Sequence, residues 1–294
     1  RRPTRTIAHL SDLHINGDGS LLGGVVDARA RLAEALGVLT SWNVACDAWV
    51  FSGDLSDDGS EASYAWLRET VAAASERAGV PAIWANGNHD ERSPFRTALL
   101  GEAASDEPYL AEHVIGGQPG SDRDAGRSPG SDAVDGLRVL VADSTVPGLP
   151  HGRLAPQTLA WLAERLAAPA SEGTVLVMHH APLPPLQDAA WGWVLAHPEQ
   201  LAEVVRGSEV RAILSGHFHH SAFGMFAGVG ASIAPSLVYT QDVTVGRDLR
   251  GQAPNAGFSV VEFYPDVVTH TVVPLETGAA VVPLLEADPL PQRP

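Results

Sequence analysis

Five polar clusters in this chain carry the residue types that bind metals and move protons. In order they are Asp12-Leu13-His14, Gly53-Asp54, Gly87-Asn88-His89-Asp90, His179-His180 and Gly216-His217-Phe218-His219. Each follows directly on a short apolar run. Carboxylate and amide oxygens and neutral imidazole suit Mn, Fe, Zn, Co or Ni, and ligand type alone does not choose among them. An isolated Asp-x-His or His-x-His means little. Five such clusters supply enough donors for two ions sharing one carboxylate, with one histidine left over for proton transfer. Such a pair activates water and offsets anionic charge at a reacting centre, which predicts a hydrolytic site.

The elements that must position these residues read as a layered α/β fold. Buried strands are expected at Thr6–Leu10, Ala48–Phe51, Pro81–Trp84, Leu137–Val141, Thr174–Met178 and Val210–Leu214. Helical spacing alternates with them: Leu32, Leu36 and Leu39 within Ala28–Trp42, then Tyr64, Leu67 and Val71 within Ser60–Ala78, where Ser60 suits an N-cap. Pro156 and Pro198 suit first helical turns. From about residue 222 the chain reads as mostly β, with Phe258–Phe263 and Val267–Val273 forming a hairpin. In open α/β sheets ligands bind beyond the carboxyl ends of strands, where all five clusters fall. If its strand continues, the spacing of two places Asp12 and His14 on one face, and His217 and His219 likewise.

Composition bounds the rest. The 294 residues are expected to form a single domain, with 45% hydrophobic content ordinary for a globular core. The segment at about 116–136 is rich in Gly, Ser, Asp and Arg and predicts a mobile surface loop. The tail from Glu286 is Pro-rich and expected to be extended. Formal charge is −16 and every basic residue is Arg. That balance repels nucleic acid polymers and anionic membrane surfaces. No apolar run reaches the roughly 18 residues a membrane span needs. Cys46 is the single cysteine, so no intrachain disulfide forms, which suits a reducing, cytoplasmic location.

Taken together, the five clusters resemble the calcineurin-like metallophosphoesterase superfamily, over Ile7 to about His220. Within it the chain is most similar to bacterial class III cyclic nucleotide phosphodiesterases, through Val50 to Gly59, Val146-Pro147-Gly148 with Gly152, and Tyr239-Thr240-Gln241-Asp242. The resemblance implies a four-layer αββα sandwich with a dinuclear metal site at its edge, and is compatible with a homodimer. It implies that Asp12, His14, Asp54 and His219 hold one ion, and Asp54, Asn88, His179 and His217 the other. His89, beside the ligand Asn88, is implied to touch substrate and either to stabilise the charge growing at phosphorus or to protonate the leaving alkoxide, with Asp90 orienting it. The Tyr239 segment is implied to border the nucleoside. The implied activity is hydrolysis of small phosphodiesters such as 3′,5′-cyclic AMP by a metal-bridging hydroxide, with glycerophosphodiesters the alternative. Purple acid phosphatases place a tyrosine ligand three residues after the bridging aspartate; here Asp57 stands there.

Other residues read as structural. His180 is expected to support the site rather than ligate. His9, His113, His151, His197 and His270 have no supporting pattern. Trp191 and Trp193 follow the fourth cluster, and packing is favoured over substrate stacking for both.

Overall fold

The computed structural model describes residues 2–42, 44–116, 134–253, 255–276 and 278. The expected loop at about 116–136 falls mainly on residues 117–133, and the tail from Glu286 on residues 279–294. Both lie outside the described residues.

Two mixed sheets stack face to face. In the first, Arg5–Leu10, Ala48–Ser52 and Ala82–Ala85 run parallel, and Gly257–Phe263 and Val268–Pro274 join antiparallel at one edge. In the second, Leu137–Ala142, Thr174–Val177, Val210–Ser215 and Val229–Ile233 run parallel. Antiparallel strands Leu110–Ile115 and Ala222–Phe226 close its two edges. From Ala222 the described chain is β-rich.

The period of two in the strands builds the layers. On the second sheet, Val139, Val141, Val175, Val177, Ala212 and Leu214 face the first sheet in one core. Their neighbours Leu140, Ala142, Leu176 and Ile213 face away and pack with Leu162, Leu201 and Val205 of helices Pro156–Leu166 and Pro198–Val205. On the far side, Leu32, Leu36 and Leu39 of Ala28–Ser41, and Tyr64, Leu67 and Val71 of Glu61–Ala78, join the first core. The result is the expected helix–sheet–sheet–helix arrangement.

Local chemistry sets the helix ends. The Ser60 side chain accepts from Ser63 N, and Gly79 closes that helix in the left-handed region at φ 66°. Pro156 and Pro198 both sit in first turns. Elements with no counterpart in the sequence reading include the edge strand Leu110–Ile115, the strand Val229–Ile233 and a π-helical turn at Phe95–Leu100. The strand Leu110–Ile115 is only partly buried, so it lacks the apolar run that marks its neighbours.

Candidate metal centre

All five clusters reach one rim, each from the C-terminal end of a parallel strand. The strands do not continue through them, which corrects the shared-face expectation. Asp12, His14, Asp54, His217 and His219 take positive φ of 56°, 45°, 48°, 78° and 50°. Asp and His tolerate this left-handed region better than β-branched residues. Tight turns thus aim these side chains inward. Gly53, at φ 104°, leaves space that a Cβ would fill, 2.6 Å from His179 Nδ1. At Gly87 a Cβ would collide with the Asp54 backbone and carboxylate.

The side chains converge closely. Asp12, His14, Asp54 and His219 offer donor atoms that all lie within 4.8 Å of one another, and Asp54, His179 and His217 do the same. Asp54 belongs to both groups. His14 Nε2 and His219 Nε2 are 3.1 Å apart, and His219 Nε2 lies 3.2 Å from Asp12 Oδ1. Asp54 Oδ2 lies 3.2 Å from His179 Nε2 and 3.7 Å from His14 Nε2. Its Oδ1 accepts the His89 backbone N–H at 2.9 Å. All six of these Asp and His side chains are buried.

Each imidazole is held by its other nitrogen, the arrangement that fixes tautomer and ring direction at metal sites. His14 Nδ1 donates to Asp57 Oδ1 at 3.0 Å. His179 Nδ1 donates to Ser52 O at 2.8 Å, and His219 Nδ1 to Tyr239 O at 3.2 Å. His217 is reversed: its Nε2 donates to Trp193 O at 2.9 Å, leaving the Nδ1 lone pair for the site. The His180 ring lies 4.4 Å from that of His217 and is itself bonded to Ser144 Oγ and Pro150 O. His9 pairs with Ser52 Oγ at 2.8 Å beneath the site.

Two expectations need correction. Asp90 does not orient His89. Its carboxylate accepts from Leu55 N, Ser56 N, Gly87 N and Tyr64 Oη at 3.1, 3.0, 2.7 and 3.0 Å, pinning the second cluster to the third. The carboxylate facing His89 is Asp57, whose Oδ1 lies 3.5 Å from His89 Nδ1 and whose carbonyl lies 3.3 Å away. Its sequence signal was its place three residues after Asp54. Trp191 is not a core residue, being 56% exposed. Trp193 packs on an apolar cluster with Ala190 and Phe218.

The electrostatics are those of a site built for cations. Burial alone would raise Asp12, but the charge and hydrogen bond of His219, with His179 nearby, hold it well below the usual carboxylate range. Asp54 is depressed against the same burial by His179 and His14. His179 is pushed up to about 9, because Asp54 and then Asp12 outweigh desolvation. Burial and the neighbouring His179 push His217 down to about 3.

The donor set fits two ions. Asn88 Oδ1 is buried and makes no hydrogen bond among the described residues, a costly condition unless a ligand completes it. A family profile described as calcineurin-like phosphoesterase matches residues 5–221. The chain belongs to this family. A probable cyclic nucleotide phosphodiesterase of Rhodococcus erythropolis is 40% identical over 289 residues, 98% of this chain and 89% of that one. A cAMP/cGMP dual specificity phosphodiesterase of Mycobacterium tuberculosis is 41% identical over 281 residues, 95% of this chain and 82% of that one. Among solved structures, a dimetal phosphatase from Danio rerio matches with TM-score 0.63 at 14% identity, covering 93% of this chain and 97% of that one; this likeness shows the fold. As a calcineurin-like phosphoesterase, the chain is a metal-dependent hydrolase whose clustered Asp and His side chains suit two divalent ions. No helix of the described residues is long and apolar enough to cross a membrane.

Proposed function

We propose that this phosphodiesterase hydrolyses cyclic nucleotides, 3′,5′-cyclic AMP among them, to nucleoside monophosphates. The observation that carries the reading is Asp54, shared by two donor groups, with His89 held beside it yet outside both of those groups. One ion would be held by Asp12, His14, Asp54 and His219, the other by Asp54, Asn88, His179 and His217. Bound there, divalent ions would supply Lewis-acid charge that activates water and offsets charge growing on the phosphoryl oxygens.

The chain's own groups do the rest. Asp54 is locked by the His89 N–H and the surrounding imidazoles, so its two oxygens are preset. His89 is 42% exposed at the rim, with Nδ1 toward Asp57. Its Nε2 makes no hydrogen bond among the described residues and is available to protonate the leaving alkoxide. Asn88 and His89 together meet the substrate. Asp12, Asp54 and Asp57 all stand among the site's imidazoles, and their charge favours a singly charged diester over a doubly charged monoester. The relatives' printed activities and their coverage of nearly the whole chain support the cyclic nucleotide class. The reading includes a homodimer and a cytoplasmic location, the latter suited by the lone Cys46.

The test compares bis(p-nitrophenyl) phosphate, p-nitrophenyl phosphate and cyclic AMP at matched metal loading. Diesters are expected to turn over faster, with cyclic AMP accepted. Faster monoester turnover overturns the diesterase reading. Diester turnover without cyclic AMP turnover moves the substrate to small diesters such as glycerophosphodiesters.

A further inference from the structure

Tyr239 lies where the second sheet hands the chain back across the metal centre. Its ring centroid is 4.1 Å from that of His219 and 6.1 Å from that of His14. His89 also packs on His14, with ring centroids 4.7 Å apart. His14 thus has two ring neighbours that carry a proton donor, one already assigned to the leaving group.

The Tyr239 ring has little freedom. It packs on His219, while its backbone carbonyl holds the His219 Nδ1–H at 3.2 Å. Gly251 approaches it so closely that a Cβ there would sit 2.9 Å from Cδ2 and 3.0 Å from Cε2. These contacts use up ring surface and leave little for stacking a nucleobase. The remaining functional group is the hydroxyl, which makes no hydrogen bond among the described residues. An ordinary phenol is protonated at neutral pH, and the ring's place beside His219 and His14 puts it at the rim of the site. An O–H with no partner beside a cation-binding cluster is a donor awaiting an acceptor.

We propose that the Tyr239 hydroxyl is a substrate-binding group that donates a hydrogen bond to a non-bridging phosphoryl oxygen at the His14–His219 part of the centre. It rests on the phosphodiesterase reading for its substrate, but its phosphate contact stands apart from turnover. Hydrogen bonds to charged acceptors are among the stronger ones, and a rigid donor loses little entropy in making one.

The experiment uses metal-loaded protein and two probes, inorganic phosphate and bis(p-nitrophenyl) phosphate. Tyr239→Phe keeps the ring and its packing and removes only the hydroxyl. Its phosphate Kd, measured by calorimetry, is expected to rise about tenfold, and kcat/KM for the diester to fall by about as much. Metal content is expected to stay at the wild-type level by elemental analysis. Gly251→Ala, which must displace the ring, is expected to weaken phosphate binding in the wild-type background and to add little in the Tyr239→Phe background. Wild-type phosphate affinity in Tyr239→Phe overturns the proposal, and so does loss of metal from that variant. A wild-type protein that binds phosphate but hydrolyses no diester defeats the functional reading alone, and the phosphate comparison still decides the role of Tyr239.

Discussion

Replacing Asp90 separates a scaffold role from a catalytic one. The carboxylate is 7% exposed and accepts from three backbone N–H groups and the Tyr64 hydroxyl. Asp90→Ala strands four buried donors, each costing on the order of 1–2 kcal/mol when left unpaired. Part of that is recovered. Burial, and then the charge of Asp54, push Asp90 from 3.8 up to about 6, so the carboxylate stays mostly ionised at neutral pH but holding that charge in the fold costs stability. A rise of that size corresponds to about 3 kcal/mol. The net loss for Asp90→Ala is then about 3 kcal/mol, since waters entering the gap satisfy some donors. For a chain of this size that lowers Tm by roughly 6–12 °C. Asp90→Asn removes the charge and keeps one acceptor, so its loss is smaller, about 1 kcal/mol. The assay is thermal unfolding of metal-free protein, followed by metal titration of each variant. Because Asp90 ties the Asp54 turn to the Gly87 turn, metal affinity falls along with stability. Asp90→Ala melting within about 2 °C of wild type, with normal metal content but a shifted acidic limb in its pH–rate profile, refutes this reasoning; it would show Asp90 acting through His89 instead.

Other perturbations read the same site from different directions. Asp54→Ala removes the one carboxylate common to both donor groups, so elemental analysis of the loaded protein is expected to show loss at both positions; retention of two ions per chain counts against the shared-ligand reading. His89→Ala is expected to lower kcat by roughly 10²–10⁴ at unchanged metal content, and a variant that loses metal instead makes His89 part of the binding site. Metal binding is expected to depend on pH. In the metal-free chain burial would lower His179, but Asp54 holds it up to about 9, so it carries a proton at neutral pH. A ligating imidazole must be neutral, so binding releases that proton and affinity rises about tenfold per pH unit up to about 9. Titrations at several pH values between 6 and 9 that give one constant affinity refute it.

Much of this protein is determined by its sequence. Apolar runs place the core strands to within a residue or two, because a strand buried on both faces must be continuously apolar. Ser60, Pro156 and Pro198 mark helix starts, since a cap or a fixed φ acts locally. The order and residue types of the five clusters mark the candidate donors, because carboxylate, amide and imidazole groups at strand ends suit metal ions. Tertiary structure alone decided the rest. Asp12, His14, Asp54, His217 and His219 turn through positive φ, a cost that only the packed surroundings can impose. Asp57 rather than Asp90 meets His89, because which of two neighbouring carboxylates turns outward depends on the turn between them. The groups that fix three of the imidazoles are the carbonyls of Ser52, Trp193 and Tyr239. Every residue has a carbonyl, so side-chain identity leaves no trace of which one will be used. Only the folded path of the chain selects it.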